Sequence, residues 1–112
     1  MSQPRLNAKF WVQAYIRLCE ISAIPAMVVR HGDDTAGTVL IKLYQHGIGS
    51  TVFERTVDMD GNRAWLRATG PDPIPDHEAD AFIAKQAKFD PDLWVVEVES
   101  RDGSHLLDDP II

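Results

Sequence analysis

The chain has 112 residues, a formal net charge of −6, 45% apolar and 25% charged residues, seven Gly and seven Pro. That is the composition of an ordinary globular protein, and it excludes fibrous and disordered classes. Seventeen acids against eleven bases argue against wholesale binding to a nucleic-acid backbone or an anionic bilayer. A single cysteine, Cys19, excludes an internal disulfide. No apolar run is long enough for a membrane span, and Met1 to Ala8 has no leader-like apolar region, so the expected location is the cytoplasm. The charge is unevenly placed: residues 1–56 sum to +2 and residues 57–112 to −8.

Between Asn7 and Ala23 the polar residues Lys9, Gln13, Arg17 and Glu20 recur at helical spacing, with Asn7 as the expected N-cap. Their stripe covers only about 80° of the helix, less than a one-sided amphipathic pattern leaves. If Phe10, Ala14 and Leu18 address a sheet, then Trp11, Val12, Tyr15, Ile16 and Cys19 need a further partner. The candidates are a second copy of the chain, which would make a homodimer through this helix, or Leu106, Leu107, Ile111 and Ile112 folding back over that flank.

Pro25 stops the helix and opens a β-branched run, Ala26 to Arg30, closed by the turn formers of residues 31–37. Thr38 to Tyr44 and Ser50 to Val57 read as strands around Gly47 and Gly49, and Asp60-Gly61 is a hairpin signal into residues 63–68. Four strands in a meander are expected. After the Pro-rich stretch 70–75, Asp76 is the expected N-cap of a helix over 77–88, with acids in its first turn and bases in its last. Leu93 to Glu99 reads as a buried strand, and residues 105–107 as a short terminal one. The fold class is therefore α+β, order α-β-β-β-β-α-β, a mostly antiparallel sheet with helices packed on it, forming one domain over residues 1–112.

The segments Phe10 to Tyr15, Val29 to Asp33, Ala36 to Lys42, Arg63 to Ala68 and Asp90 to Glu97, taken together and in order, resemble the bacterial family of unknown function called domain of unknown function fourteen ninety-one. The resemblance spans about residues 5 to 108. It implies a short single-domain protein, and it carries no activity, substrate, cofactor or catalytic residue onto this chain.

Two regions carry chemistry-bearing residues. In the loop Arg30-His31-Gly32-Asp33-Asp34 a base, an imidazole and carboxylates lie within five residues; this could hold a cation or a phosphate, but Asp and Gly are first of all what a tight turn takes. On the sheet, if Val39, Ile41 and Leu43 face the core with Ala64, Leu66 and Ala68, then Lys42, Tyr44, Arg63, Trp65 and Arg67 share the opposite face with Glu97 and Glu99. Arg interleaved with an aromatic can hold a carboxylate or phosphate, or can simply be a solvated, ion-paired surface. His77 and Asp80 share a helical face without further ligands, and the scattered histidines predict no bound metal and no cofactor. Deaminase, metalloprotease, phosphate-loop and nucleophile-elbow motifs are absent, and Glu97-Val98-Glu99 lacks the Lys of a metal-dependent nuclease core. The reading placed first is a non-catalytic interaction or accessory protein that binds itself or another protein. The alternative is a small enzyme or anionic-ligand binder using the charged sheet face or the His31 loop.

Overall fold

The computed structural model describes residues 7–112; of the stretch Met1 to Ala8 read above, residues 1–6 lie outside the described residues. The elements are α1 (Ala8–Ile21), β1 (Ala26–Arg30), β2 (Val39–Gln45), β3 (Gly49–Val57), β4 (Arg63–Arg67), α2 (Asp76–Phe89) and β5 (Trp94–Glu99). The order and class are those expected. Asn7 caps α1, its side-chain oxygen accepting from the Phe10 amide at 3.0 Å, which satisfies one of the free N–H groups of the first turn. Ala23 turns the chain out of the helix at φ 59°, and Pro25 prevents its resumption.

The sheet runs β1-β5-β2-β3-β4. β2 and β5 are parallel, and the other neighbours are antiparallel. The meander therefore holds only for β2, β3 and β4. β5 inserts between β1 and β2, because the crossover through α2 returns the chain parallel to β2. A parallel central pair is covered on both faces, which is why Val39-Leu40-Ile41 and Val95-Val96 are apolar without alternation. The helices lie on opposite faces. Ala8, Val12, Tyr15 and Cys19 of α1 pack with Val39, Ile41, Leu43, Phe53, Trp65, Val96 and Val98. Ala79 of α2, flanked by Phe82 and Ile83, packs with Leu40, Val52, Leu93 and Val95.

Further expectations are corrected. Arg63, Trp65 and Arg67 do not share a face with Lys42. Phe53 pairs with both Ile41 and Arg67, so the odd-numbered residues of β4 face α1 with Ile41 and Leu43. The bulk of the indole decides this: Trp65 is buried at 1% exposure while Leu66, on the other face at the sheet edge, is 40% exposed, since one helix about 10 Å wide cannot cover five strands about 4.8 Å apart. Lys42 does share its face with Glu97, its register partner in β5. Second, Asp76 is not a cap. Pro75 stands at that position without a side-chain bond, and the Asp76 carboxylate is engaged by Lys42 and Ser50.

Third, α1 is rotated from the expected orientation: Val12, Tyr15 and Cys19 face the sheet, whereas Phe10, Ala14 and Leu18 face outward. The flank at Trp11 is closed by the folded-back segment, in which Leu106, Leu107 and Ile111 pack against the core while Ile112 stays exposed. Residues 105–107 form no strand; four residues further on, Ile111 makes an isolated parallel bridge with Trp65.

Candidate functional site

Lys42 is the one buried charged side chain among the described residues, at 3% exposure. Its Nζ lies 2.7 Å from Asp76 Oδ1, 2.7 Å from Asp80 Oδ1 and 3.7 Å from Glu97 Oε1. The Ser50 hydroxyl donates to the same Asp76 oxygen at 2.8 Å. Burial pulls the Lys42 pKa down, but hydrogen bonding to Asp76 and Asp80 outweighs it, and the net direction is upward. The bonds from Lys42 and Ser50 hold Asp76 below the usual carboxylate range. Both shifts favour the charged pair. An ammonium held protonated has no lone pair for base or Schiff-base chemistry, and a carboxylate held ionised is a poor general acid. The node acts as a tether between the first turn of α2 and the centre of the sheet.

Arg63, Trp65 and Arg67 meet groups that sequence reasoning missed. The Arg55 guanidinium stands over Trp11 at 4.7 Å and Trp65 at 5.6 Å. Trp11 in turn stacks on Tyr15 with centroids 5.1 Å apart. Arg67 lies over Phe53 at 5.8 Å, and Arg63 Nε is 3.7 Å from Asp109 Oδ2. A signal for Arg55 existed: a hairpin turning at Asp60-Gly61 that pairs Val57 with Arg63 must pair Arg55 with Trp65, as observed.

Arg30, His31 and Asp33 form a lashed turn. The Asp33 carboxylate accepts from the Thr35 and Ala36 amides at 3.1 and 2.8 Å, and the Asp33 carbonyl accepts from Trp94 Nε1 at 2.7 Å. His31 Nε2 is 2.8 Å from Asp34 Oδ1, and its ring lies against Trp94. Arg30 donates to the Pro91 carbonyl at 3.1 Å. A Cβ on Gly32 would collide with the Asp92 carbonyl, so the close approach of the two loops requires glycine there. The eight expected residues thus fall into three separate groups: Lys42 with Glu97, Arg63 with Trp65 and Arg67, and the loop.

A groove of about 730 Å³ opens at the carboxyl ends of the parallel strands, lined by residues including Tyr44, His46, Glu99, Ser100 and Leu106. None of the eight lines it. Its Tyr44 hydroxyl and His46 Nδ1 are 3.3 Å apart. No group of three or more His, Cys, Asp or Glu able to hold a metal occurs among the described residues. Cys19 is fully buried, and burial raises its pKa, so it is not poised as a thiolate.

Comparison with solved structures finds a crystal structure of a DUF1491 family protein from Caulobacter crescentus CB15, 36% identical, covering 96% of this chain and 100% of that one, with a TM-score of 0.87. An NMR structure of a DUF1491 family protein from the same organism is 37% identical over 98% of this chain and 99% of that one, TM-score 0.84. Protein Atu0922 from A. tumefaciens, 23% identical over 93% of both chains with a TM-score of 0.77, shares the fold. No curated protein matches. The family described as protein of unknown function (DUF1491) matches residues 6–108, and with the likeness to its solved members the chain belongs to that family.

Proposed function

We propose that this protein works by association rather than catalysis, and that its docking surface is the outward stripe of α1, occupied by a second copy of the chain. The observation that carries the reading is the exposure of Phe10 (57%), Leu18 (44%) and Ile21 (74%), with exposed Ala14 between the first two. The sheet uses Val12, Tyr15 and Cys19, and the folded-back segment uses Trp11, so nothing in the described chain covers this stripe. It is self-complementary. Phe10 and Leu18 stand four residues either side of Ala14, so an antiparallel two-fold pair crossing at Ala14 sets Phe10 of each copy against Leu18 of the other. The small residue sits where the helices approach most closely, and the i±4 ridges interdigitate.

In this reading residues 1–112 work as one domain of a bacterial cytoplasmic protein, with no role for nucleic acid or membrane. No described helix is long and apolar enough to cross a membrane. The enzyme or anionic-ligand alternative has less support: Lys42 is locked as a cation, and Asp33 and Asp76 are engaged in a turn and a tether. The test is Ala14→Cys under mild oxidation. The reading expects a disulfide-linked dimer at micromolar protein, with buried Cys19 silent. An exclusively monomeric product would contradict it.

A further inference from the structure

Of the two sheet edges, that of β1 presents the exposed apolar side chains Met27 and Val29. The β4 edge is different. Residues 108–112 run along it: the Trp65 amide donates to the Pro110 carbonyl at 2.8 Å, and the Ile112 amide donates to the Trp65 carbonyl at 2.8 Å. Asp108 Oδ2 accepts from Trp11 Nε1 at 3.3 Å, Asp109 faces Arg63, and Ile111 packs on the core. This is the pattern of strand addition, in which main-chain bonds supply affinity and alternate side chains supply selection.

The recognising groups stand without their occupant. β4 is held by five register pairs with β3, and α1 by its own core residues. The occupant does not complete the site either: the indole N–H of Trp65 is buried with no acceptor among the described residues. The segment's hold is local: two main-chain bonds, the Trp11–Asp108 bond, an ion pair between Arg63 and Asp109 and Ile111 on the core are set against the entropy of ordering five residues, and the ion pair weakens with salt.

We propose that the β4 edge is a docking site for an extended acidic segment of a partner protein, and that residues 108–112 are its tethered internal competitor. The partner segment carries an acidic pair for Trp11 and Arg63, then a β-branched apolar residue for the Ile111 position, and an acceptor within reach of the Trp65 indole. This is independent of the α1 stripe, which lies on the outer side of the helix.

The test uses the full chain carrying Ile111→Asp, which unseats the resident segment, titrated with the free peptide Leu-Asp-Asp-Pro-Ile-Ile. The readouts are the amide resonance of Trp65 and the indole N–H resonance of Trp11. The proposal expects saturable shifts at both, binding weakened by about fivefold or more with the Asn-Asn peptide, and weakened by at least about tenfold in the wild-type chain, where the tethered segment competes. Should Ile111→Asp fail to fold, the Asp108→Asn/Asp109→Asn chain, which keeps Ile111 in the core, serves in the same titration. No saturable shift at millimolar peptide, equal binding of the Asn-Asn peptide, or equal binding by the wild-type chain would each overturn the proposal.

Discussion

Removing the acids around Lys42 should cost more than removing Lys42 itself. In Asp76→Asn/Asp80→Asn the two contacts at 2.7 Å lose their charge, and the ammonium, 3% exposed, keeps Glu97 at 3.7 Å as its one charged partner in this node. A buried ion stripped of its partners costs about 3–5 kcal/mol, and the remaining carboxylate places this variant near the lower end. In Lys42→Met the three carboxylates lose their cation, but their side chains are 45%, 60% and 31% exposed and return to water. The thioether fills the vacated volume, so the change should stay within about 1 kcal/mol. Against a total stability of about 5–15 kcal/mol, the difference is readily measured.

Urea unfolding followed by far-UV circular dichroism reads it, with the slope checked for constancy. The pH profile carries the same signature. The folded pKa of Asp76 is lowered, so its contribution is present above the ordinary carboxylate value and lost as pH falls through the lowered one. That of Lys42 is raised, so its contribution is present below the ordinary lysine value and lost as pH rises through the raised one. If Lys42→Met proves the more destabilising of the two variants, the reasoning is refuted.

Two further outcomes follow from local geometry. Burial and the nearby Arg67 lower the pKa of His105, whose Nδ1 accepts from the Leu107 amide at 3.0 Å. Stability should therefore decline as pH falls below about 6.5, and His105→Asn, which retains an acceptor, should flatten that part of the profile in tryptophan-monitored unfolding. Gly32→Ala drives a methyl into the Asp92 carbonyl and the Trp94 ring and should cost about 1–3 kcal/mol; a thermal midpoint equal to wild type would show that the two loops separate freely.

Element order and most boundaries were legible because each rests on local chemistry: the Asn7 cap, Pro25, Asp60-Gly61 and the Pro-rich lead into α2. Strand order was not. Nothing local in Ala26 to Arg30 distinguishes a neighbour of β2 from a neighbour of β5, and the choice is made by the covered parallel pair that the α2 crossover creates. Alternation does not choose the face of Trp65, because both alternate sets of β4 carry apolar residues, Trp65 on one and Ala64 and Leu66 on the other. There the larger side chain takes the better-covered side, and Ala64 and Leu66 take the other. The sequence reading places the sheet residues in one group on one face and the structure divides them into two, since Lys42 and Trp65 lie on strands whose relative register depends on β3 between them. Arg55 and Phe53 lie on that intervening strand and supply the contacts that were missed.

The central claim is that α1 presents a self-complementary docking stripe. Sedimentation equilibrium across the micromolar range on the wild type and Leu18→Glu tests it most directly. The account predicts that the wild type rises from 12.5 kDa toward twice that mass, while Leu18→Glu stays monomeric with unchanged unfolding, because Leu18 is 44% exposed. A wild-type chain that remains at 12.5 kDa throughout, or a Leu18→Glu chain that associates equally well, would contradict it.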